Sequence, residues 1–304
     1  MSVVLALDFS PPYHWDAMVA YLAARATPGV ETVTRDRGGR YRRAVQLSGH
    51  CGHLEIGPLH RAAQASTLGV EISETLLPVA DALLERIRRF LDLDADPQPI
   101  ESHLGDDERL GPLVRRQRGL RVPGAFDGFE LALRTVLGQQ VSVRGATTLA
   151  GRLAERVGET LPIASLRDEG DRQPINRLAV TAERLAESSV ATVAAIGLPR
   201  ARAECVVALA RAVAIGELPE LRGDAPSRSH AEFERRFTEL PGIGPWTATY
   251  VVMRALRSAD AFPDSDLVLR RMTGGLSPAR LRAVAERWRP WRAYAAQHLW
   301  TTAA

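Results

Sequence analysis

The chain has 304 residues, 45% of them apolar and 25% charged, which supports two or three modest domains with sizeable cores and excludes a largely disordered polypeptide. No apolar run reaches the length of a membrane span, Met1-Ser2-Val3-Val4-Leu5 has no basic stretch ahead of its apolar residues, and two cysteines, Cys51 and Cys205, make neither a disulfide framework nor a four-cysteine iron–sulfur or zinc site. Net charge is only +3, with a pI near 9.2, but all 39 basic residues are arginine, so no side-chain amine exists to form a Schiff base.

Residues 1–98 read as an α+β domain built on an antiparallel sheet with helices. Val3 to Leu7 is strand-like, Pro11-Pro12 breaks it, and Trp15 to Ala26 carries an apolar stripe of helical period. Val30 to Thr34 and Tyr41 to Leu47 read as strands joined through the glycine turn Arg37-Gly38-Gly39-Arg40. His53 to Ile56 and Val70 to Ile72 add alternating strands, and Leu76 to Leu93 reads as an amphipathic helix. Asp94 to Pro99 has the composition of a linker.

The rest, 99–304, reads as an all-helical region, divided here into two helical subdomains. The pattern predicts helices over 100–104, 106–117, 126–138, 142–157, 181–187, 189–195, 199–214, 229–238, 246–257, 266–272, 278–287 and 291–301. Ser229 and Glu232 are spaced as a capping box, and Ser277-Pro278 as a cap followed by a first-turn proline. The polar stretch 158–180 reads as a loop or insertion.

The most informative segment is Leu240-Pro241-Gly242-Ile243-Gly244-Pro245-Trp246-Thr247, with a helix running in and another running out. Two glycines around one apolar residue allow a tight turn in which Ile243 plugs between the helices and the backbone is open to close approach. Pro245 sits where a helix starts, and the unpaired amides after it suit an anion such as a phosphodiester. Asp264-Ser265-Asp266 follows some twenty residues on. A lone Gly-x-Gly is most often just a packed turn. The whole string, with that aspartate, resembles the hairpin of the helix-hairpin-helix DNA glycosylases.

The resemblance narrows to the bacterial alkylpurine glycosylases of the 3-methyladenine glycosylase II family. It is carried by Pro11-Pro12-Tyr13-His14-Trp15, by Gly119-Leu120-Arg121-Val122-Pro123-Gly124, by Val136-Leu137-Gly138-Gln139-Gln140-Val141-Ser142-Val143, and by Ala285 to Arg292 with His298-Leu299-Trp300. It implies a base excision repair enzyme that flips an alkylated purine from duplex DNA and hydrolyses its glycosidic bond; the absence of lysine makes it monofunctional, the absence of a signal peptide or membrane span gives a cytoplasmic location as the default, and a monomer is expected. It implies Asp266 as the catalytic carboxylate and Tyr21, Trp246, Tyr250 and Trp300 around the flipped base. Gln140, Gly242, Gly244, Pro245, Trp246 and Thr247 then face the DNA, and the main-chain carbonyls of Thr238, Leu240 and Ile243 hold a monovalent cation. No cofactor is implied for the chemistry itself.

The residue types suit those roles. Ring alkylation leaves a purine positively charged, and aromatic faces attract cations. Such a base is already a good leaving group, so an anion beside the nascent sugar cation contributes more than a general acid. Of the two aspartates, helix capping is assigned to Asp264 and catalysis to Asp266, which can also cap. The chain departs from the family pattern twice. Gln140 stands where an apolar wedge is usual, and Leu267 where tyrosine is frequent, which leaves the pocket wall less aromatic. Two alternatives are weighed. Strand-cleaving glycosylases for oxidised bases place a lysine after the hairpin, where this chain has Pro245-Trp246-Thr247 and no lysine at all. A non-catalytic DNA-binding protein that kept the hairpin would not need Asp266. The basic stretch containing Arg270, Arg271, Arg280, Arg282, Arg287, Arg289 and Arg292 is either a phosphate-contacting or a salt-bridged surface.

Overall fold

The computed structural model describes residues 2–35, 38–59, 66–162, 174–222 and 229–303. Met1, Arg37 of the glycine turn and 163–173 of the polar loop lie outside the described residues. An antiparallel sheet has the order β1-β5-β4-β3-β2, from β1 (Ser2–Asp8), β2 (Glu31–Thr34), β3 (Arg40–Leu47), β4 (His50–Pro58) and β5 (Thr67–Ser73). The strand after Leu47 begins earlier than predicted. Ser48 and Gly49 both take positive φ, 49° and 81°, and turn the chain in two residues so that Leu47 pairs with His50. Leu54, Ile56, Val70 and Ile72 of the sheet pack against Met18 and Leu22 of α1 (Trp15–Arg25) and Leu83, Ile87 and Leu91 of α2 (Ala80–Leu91). The predicted helix from Leu76 starts instead as a 3₁₀ turn, Glu74–Val79, because Pro78 interrupts the α-helical ladder.

The helical part holds two apolar cores. One gathers α5 (Gly128–Leu137), α6 (Val143–Val157), α7 (Ala182–Ala186), α8 (Val190–Ala194), α9 (Arg200–Ala214), α10 (His230–Thr238) and the near face of α11 (Pro245–Arg254). The other gathers α3 (Pro97–Gly105), α4 (Gly111–Arg116), α12 (Leu267–Met272), α13 (Pro278–Ala285) and α14 (Arg292–Ala303). Helix α11 is the seam: Val251 and Val252 enter the first core, Met253 the second. Two expectations are corrected. The linker ends at Asp96, whose carboxylate caps α3 with Pro97 in its first turn. The helix read over 106–117 is only Gly111–Arg116, because Asp107 accepts the amides of Arg109 and Leu110 and the Trp288 indole, fixing a turn in its place. The described ends of the polar loop are pinned through Thr160 and Arg177, and Gly29 accepts the amides of Asn176 and Arg177. Among the described residues no helix is long and apolar enough to cross a membrane.

Candidate active site

Asp266 is the N-cap of α12 and is 9% exposed. Its Oδ1 accepts the amides of Val268 and Leu269, both at 2.9 Å, and the indole N–H of Trp300 at 3.0 Å. Among the described residues its Oδ2 accepts only the indole N–H of Trp246, at 3.0 Å. A carboxylate oxygen carries about two lone-pair sites, so Oδ1 is saturated while Oδ2 keeps one free. Two tryptophans from α11 and α14 thus aim the carboxylate while leaving one oxygen available. Capping falls to Asp266 alone, contrary to the division expected above, because Asp264 is held by Arg282 at 2.5 Å.

Aromatic rings gather beside Asp266. Trp246 stacks on Tyr250, with centroids 5.2 Å apart and planes 13° apart, one helical turn along α11. Trp300 meets Tyr250 edge-on at 6.0 Å. Tyr21 of α1 reaches the same place from the N-terminal domain, its hydroxyl 3.4 Å from that of Tyr250. All of the aromatic residues predicted for the site therefore converge.

Behind them lies a residue that the sequence reading passed over. Arg254 is 1% exposed. It donates to the Pro123 carbonyl and, at 3.2 Å, to the Tyr250 hydroxyl, with its guanidinium 4.5 Å from the Tyr21 ring centre. Arg25 covers Tyr21 at 3.9 Å. Burial pushes the Tyr21 phenol up, but Arg254, Arg25 and the Tyr250 hydroxyl together outweigh it and bring it down to about 8. Burial works against the Arg254 charge, and the two phenols more than compensate. A signal for Arg254 was present: it is an arginine four residues after Tyr250 in an apolar helix.

The hairpin has the predicted form. Gly242 takes φ 86°, Ile243 is 6% exposed in the core of the first helical unit, and its amide bonds the Leu240 carbonyl at 3.1 Å. Gly244 is the N-cap of α11 and offers no side chain to the amides of Trp246 and Thr247. Beside it, the turn between α5 and α6 puts Gln140 at an exposed tip with φ 58°, flanked by Val141 and Val143, which are 41% and 44% exposed. Gln139 donates to the Gly242 carbonyl at 3.0 Å and to the Thr247 hydroxyl at 3.3 Å. Nothing in the sequence signalled that contact, which joins segments far apart in the chain. Leu267 is 75% exposed next to Asp266. Much of the arginine stretch is engaged: Arg282 with Asp264, Arg287 with Asp107, and Arg289 and Arg292 with Asp260 and Glu286. Among the described residues Arg271 and Arg280 are exposed and carry no ion pair.

Comparison with known proteins gives two family matches. Residues 4–127 match the AlkA N-terminal domain, and residues 133–290 match the HhH-GPD superfamily of base excision DNA repair proteins. The chain is 36% identical to DNA-3-methyladenine glycosylase 2 of Escherichia coli over 97% of its own length and 96% of that protein. It is 37% identical to the probable bifunctional transcriptional activator/DNA repair enzyme AlkA of Mycobacterium tuberculosis, over 99% of this chain and 57% of the larger protein. The fold is shared with a 3-methyladenine DNA-glycosylase from Archaeoglobus fulgidus, at a TM-score of 0.80 and 23% identity over 97% of each chain.

Proposed function

The chain belongs to the HhH-GPD superfamily of base excision DNA repair proteins, with the N-terminal domain of the AlkA type, and from that premise we propose a monofunctional alkylpurine DNA glycosylase acting on 3-methyladenine-type lesions. The observation that carries the reading is Asp266, a nearly buried carboxylate aimed by two indoles, with one lone-pair site of Oδ2 free beside a cluster of aromatic rings. A flipped base sits among Trp246, Tyr250, Trp300 and Tyr21. Two guanidiniums already lie on the Tyr21 ring, so the contact with a cationic purine falls mainly to the tryptophans on the Asp266 side. The glycosidic bond breaks with its electron pair going to the base. The sugar cation is stabilised by the Asp266 charge, water adds at C1′, and the carboxylate takes the proton that water loses.

Gly242, Gly244, Pro245, Trp246 and Thr247 follow a phosphodiester through the backbone, without reading sequence. Gln140 fills the space vacated by the base with polar contacts. The carbonyls of Thr238, Leu240 and Ile243 fit a monovalent cation. They lie at and just past the negative end of α10, and Leu240 keeps a second lone pair beyond the one bonded to the Ile243 amide. Such an ion supplies positive charge for a phosphate beside the hairpin.

The two hairpin glycines are expected to behave differently. An added Cβ at Gly242 would meet Cys205 at 3.2 Å in a positive-φ conformation, so Gly242→Ala lowers both stability, by about 1–2 kcal/mol, and duplex affinity. At Gly244 nothing lies within 4 Å, so Gly244→Ala should melt like the parent and still bind undamaged duplex more weakly. Melting curves beside duplex titrations check this; full affinity in Gly244→Ala would remove the hairpin from the DNA contact. The reaction itself is tested by incubating the protein with alkylated duplex, with and without sodium borohydride. Base release, abasic strands that stay whole until alkali, and no trapped adduct are expected, since the chain lacks lysine. Alkali-independent breaks at the rate of base release, or a covalent adduct, would overturn the monofunctional reading.

A further inference from the structure

In the glycosylase reading the α5–α6 turn and the hairpin both face the DNA, and Gln139 joins them. Both of its acceptors belong to the hairpin unit: Gly242 at the turn and Thr247, 3% exposed, in the first turn of α11. The next residue, Gln140, holds a left-handed conformation that a non-glycine residue adopts only where its surroundings enforce it. On its own side the turn is closed by the bonds of Gln139 N to Val136 O at 3.2 Å and of Val141 N to Gly138 O at 3.4 Å. The Gln139 amide is thus a direct tie between the turn and the hairpin, added to the packing of α5 and α11 in their shared core.

We propose that Gln139 is a positioning residue that sets how deeply the α5–α6 turn is pressed into the duplex while the hairpin grips a phosphate; this rests on the glycosylase reading above. Filling the gap behind an extruded base forces stacked bases apart, and the resisting duplex pushes back on whatever fills it. That push is countered only if the turn cannot recede from the phosphate grip. A glutamine amide suits the post, because one nitrogen carries two N–H donors and can meet a carbonyl and a hydroxyl together. Glutamate has the same length but no donor, and would face the Gly242 carbonyl with negative charge.

Gln139→Ala and Gln139→Glu test this. Each is compared with the parent for affinity to undamaged duplex and for single-turnover excision at saturating protein. The same lesion is placed opposite its normal partner or opposite an abasic gap, where little pairing has to be broken. Duplex affinity should stay within about twofold, because the phosphate contact is untouched. Excision of the paired lesion should fall about tenfold, the effect of losing two ordinary hydrogen bonds, and excision opposite the gap less than about twofold. Equal losses on both substrates, a parallel loss of affinity, or no loss at all would overturn the proposal. A 2-aminopurine beside the lesion reports base extrusion without any cleavage. Its fluorescence rise should appear with the parent and shrink in both variants. A rise without base release would sink the glycosylase reading and leave the positioning role standing; no rise with the parent would overturn the positioning role.

Discussion

Asp266→Asn should reduce base excision by at least ~10³-fold while the protein still binds duplex DNA, because the group removed is the one charge placed against the developing sugar cation. The structure indicates how the amide would sit. Its oxygen can replace Oδ1, keeping the bonds from Val268, Leu269 and Trp300, with the NH₂ then turned against the Trp246 indole N–H, donor against donor. The reverse placement would lose three bonds instead of one, so the first is adopted and the α12 cap survives. Stability should fall by only about 1–2 kcal/mol. Single-turnover base release and a gel-shift titration measure the two properties separately. An Asn variant that excises at near the parent rate would remove Asp266 from the chemistry. Asp264→Asn, which breaks a partly exposed pair with Arg282, should cost less than about 1 kcal/mol and little activity.

The second large effect is on folding. Gly119→Ala should lower stability by about 3 kcal/mol or more, combining the strain of a positive φ in a non-glycine residue with overpacking. Gly119 has φ 74°, and a Cβ there would lie 2.5 Å from the carbonyl carbon and oxygen of Pro12, which are backbone atoms with no rotamer to give. Its carbonyl accepts the amide of His14, the N-cap of α1, so displacement here moves the helix that carries Tyr21. Gly216→Ala is the control. It has φ 82° with nothing within 4 Å, and should show the strain alone, about 1 kcal/mol. Thermal melts of the two variants should differ by several degrees. Similar melts would mean that the contact with Pro12 yields at little cost.

What the sequence disclosed divides by physical range. The hairpin was readable because its determinants are local: glycine for the turn, proline at the first helical position and an apolar plug between two amphipathic runs all lie within a few residues. Asp266 came from the family resemblance, which places an aspartate some twenty residues past that hairpin, and the structure sets it beside Trp246 and Trp300. The choice between Asp264 and Asp266 as cap was not readable, since either side chain suits a helix start and the partner that decides, Arg282, sits two helices on. The true extent of α4 was hidden for the same reason, as Trp288 and Arg287 help to hold the Asp107 turn from far along the chain. Arg254 and Gln139 belong to a third kind. Their types and neighbours were visible, but their meaning depends on which elements the fold brings together. Periodicity does not place α1 against α11, or the α5–α6 turn against the hairpin.

The site's parts come from α1, α11, α12 and α14, yet the apolar core under the hairpin is drawn wholly from residues Val30 to Val252. The hairpin and the carboxylate therefore stand on separate footings, bridged by α11, whose Val251 and Val252 enter one core and whose Met253 enters the other. Loosening the second core would let the Trp300 indole drift from Asp266 while Ile243 stays plugged in the first.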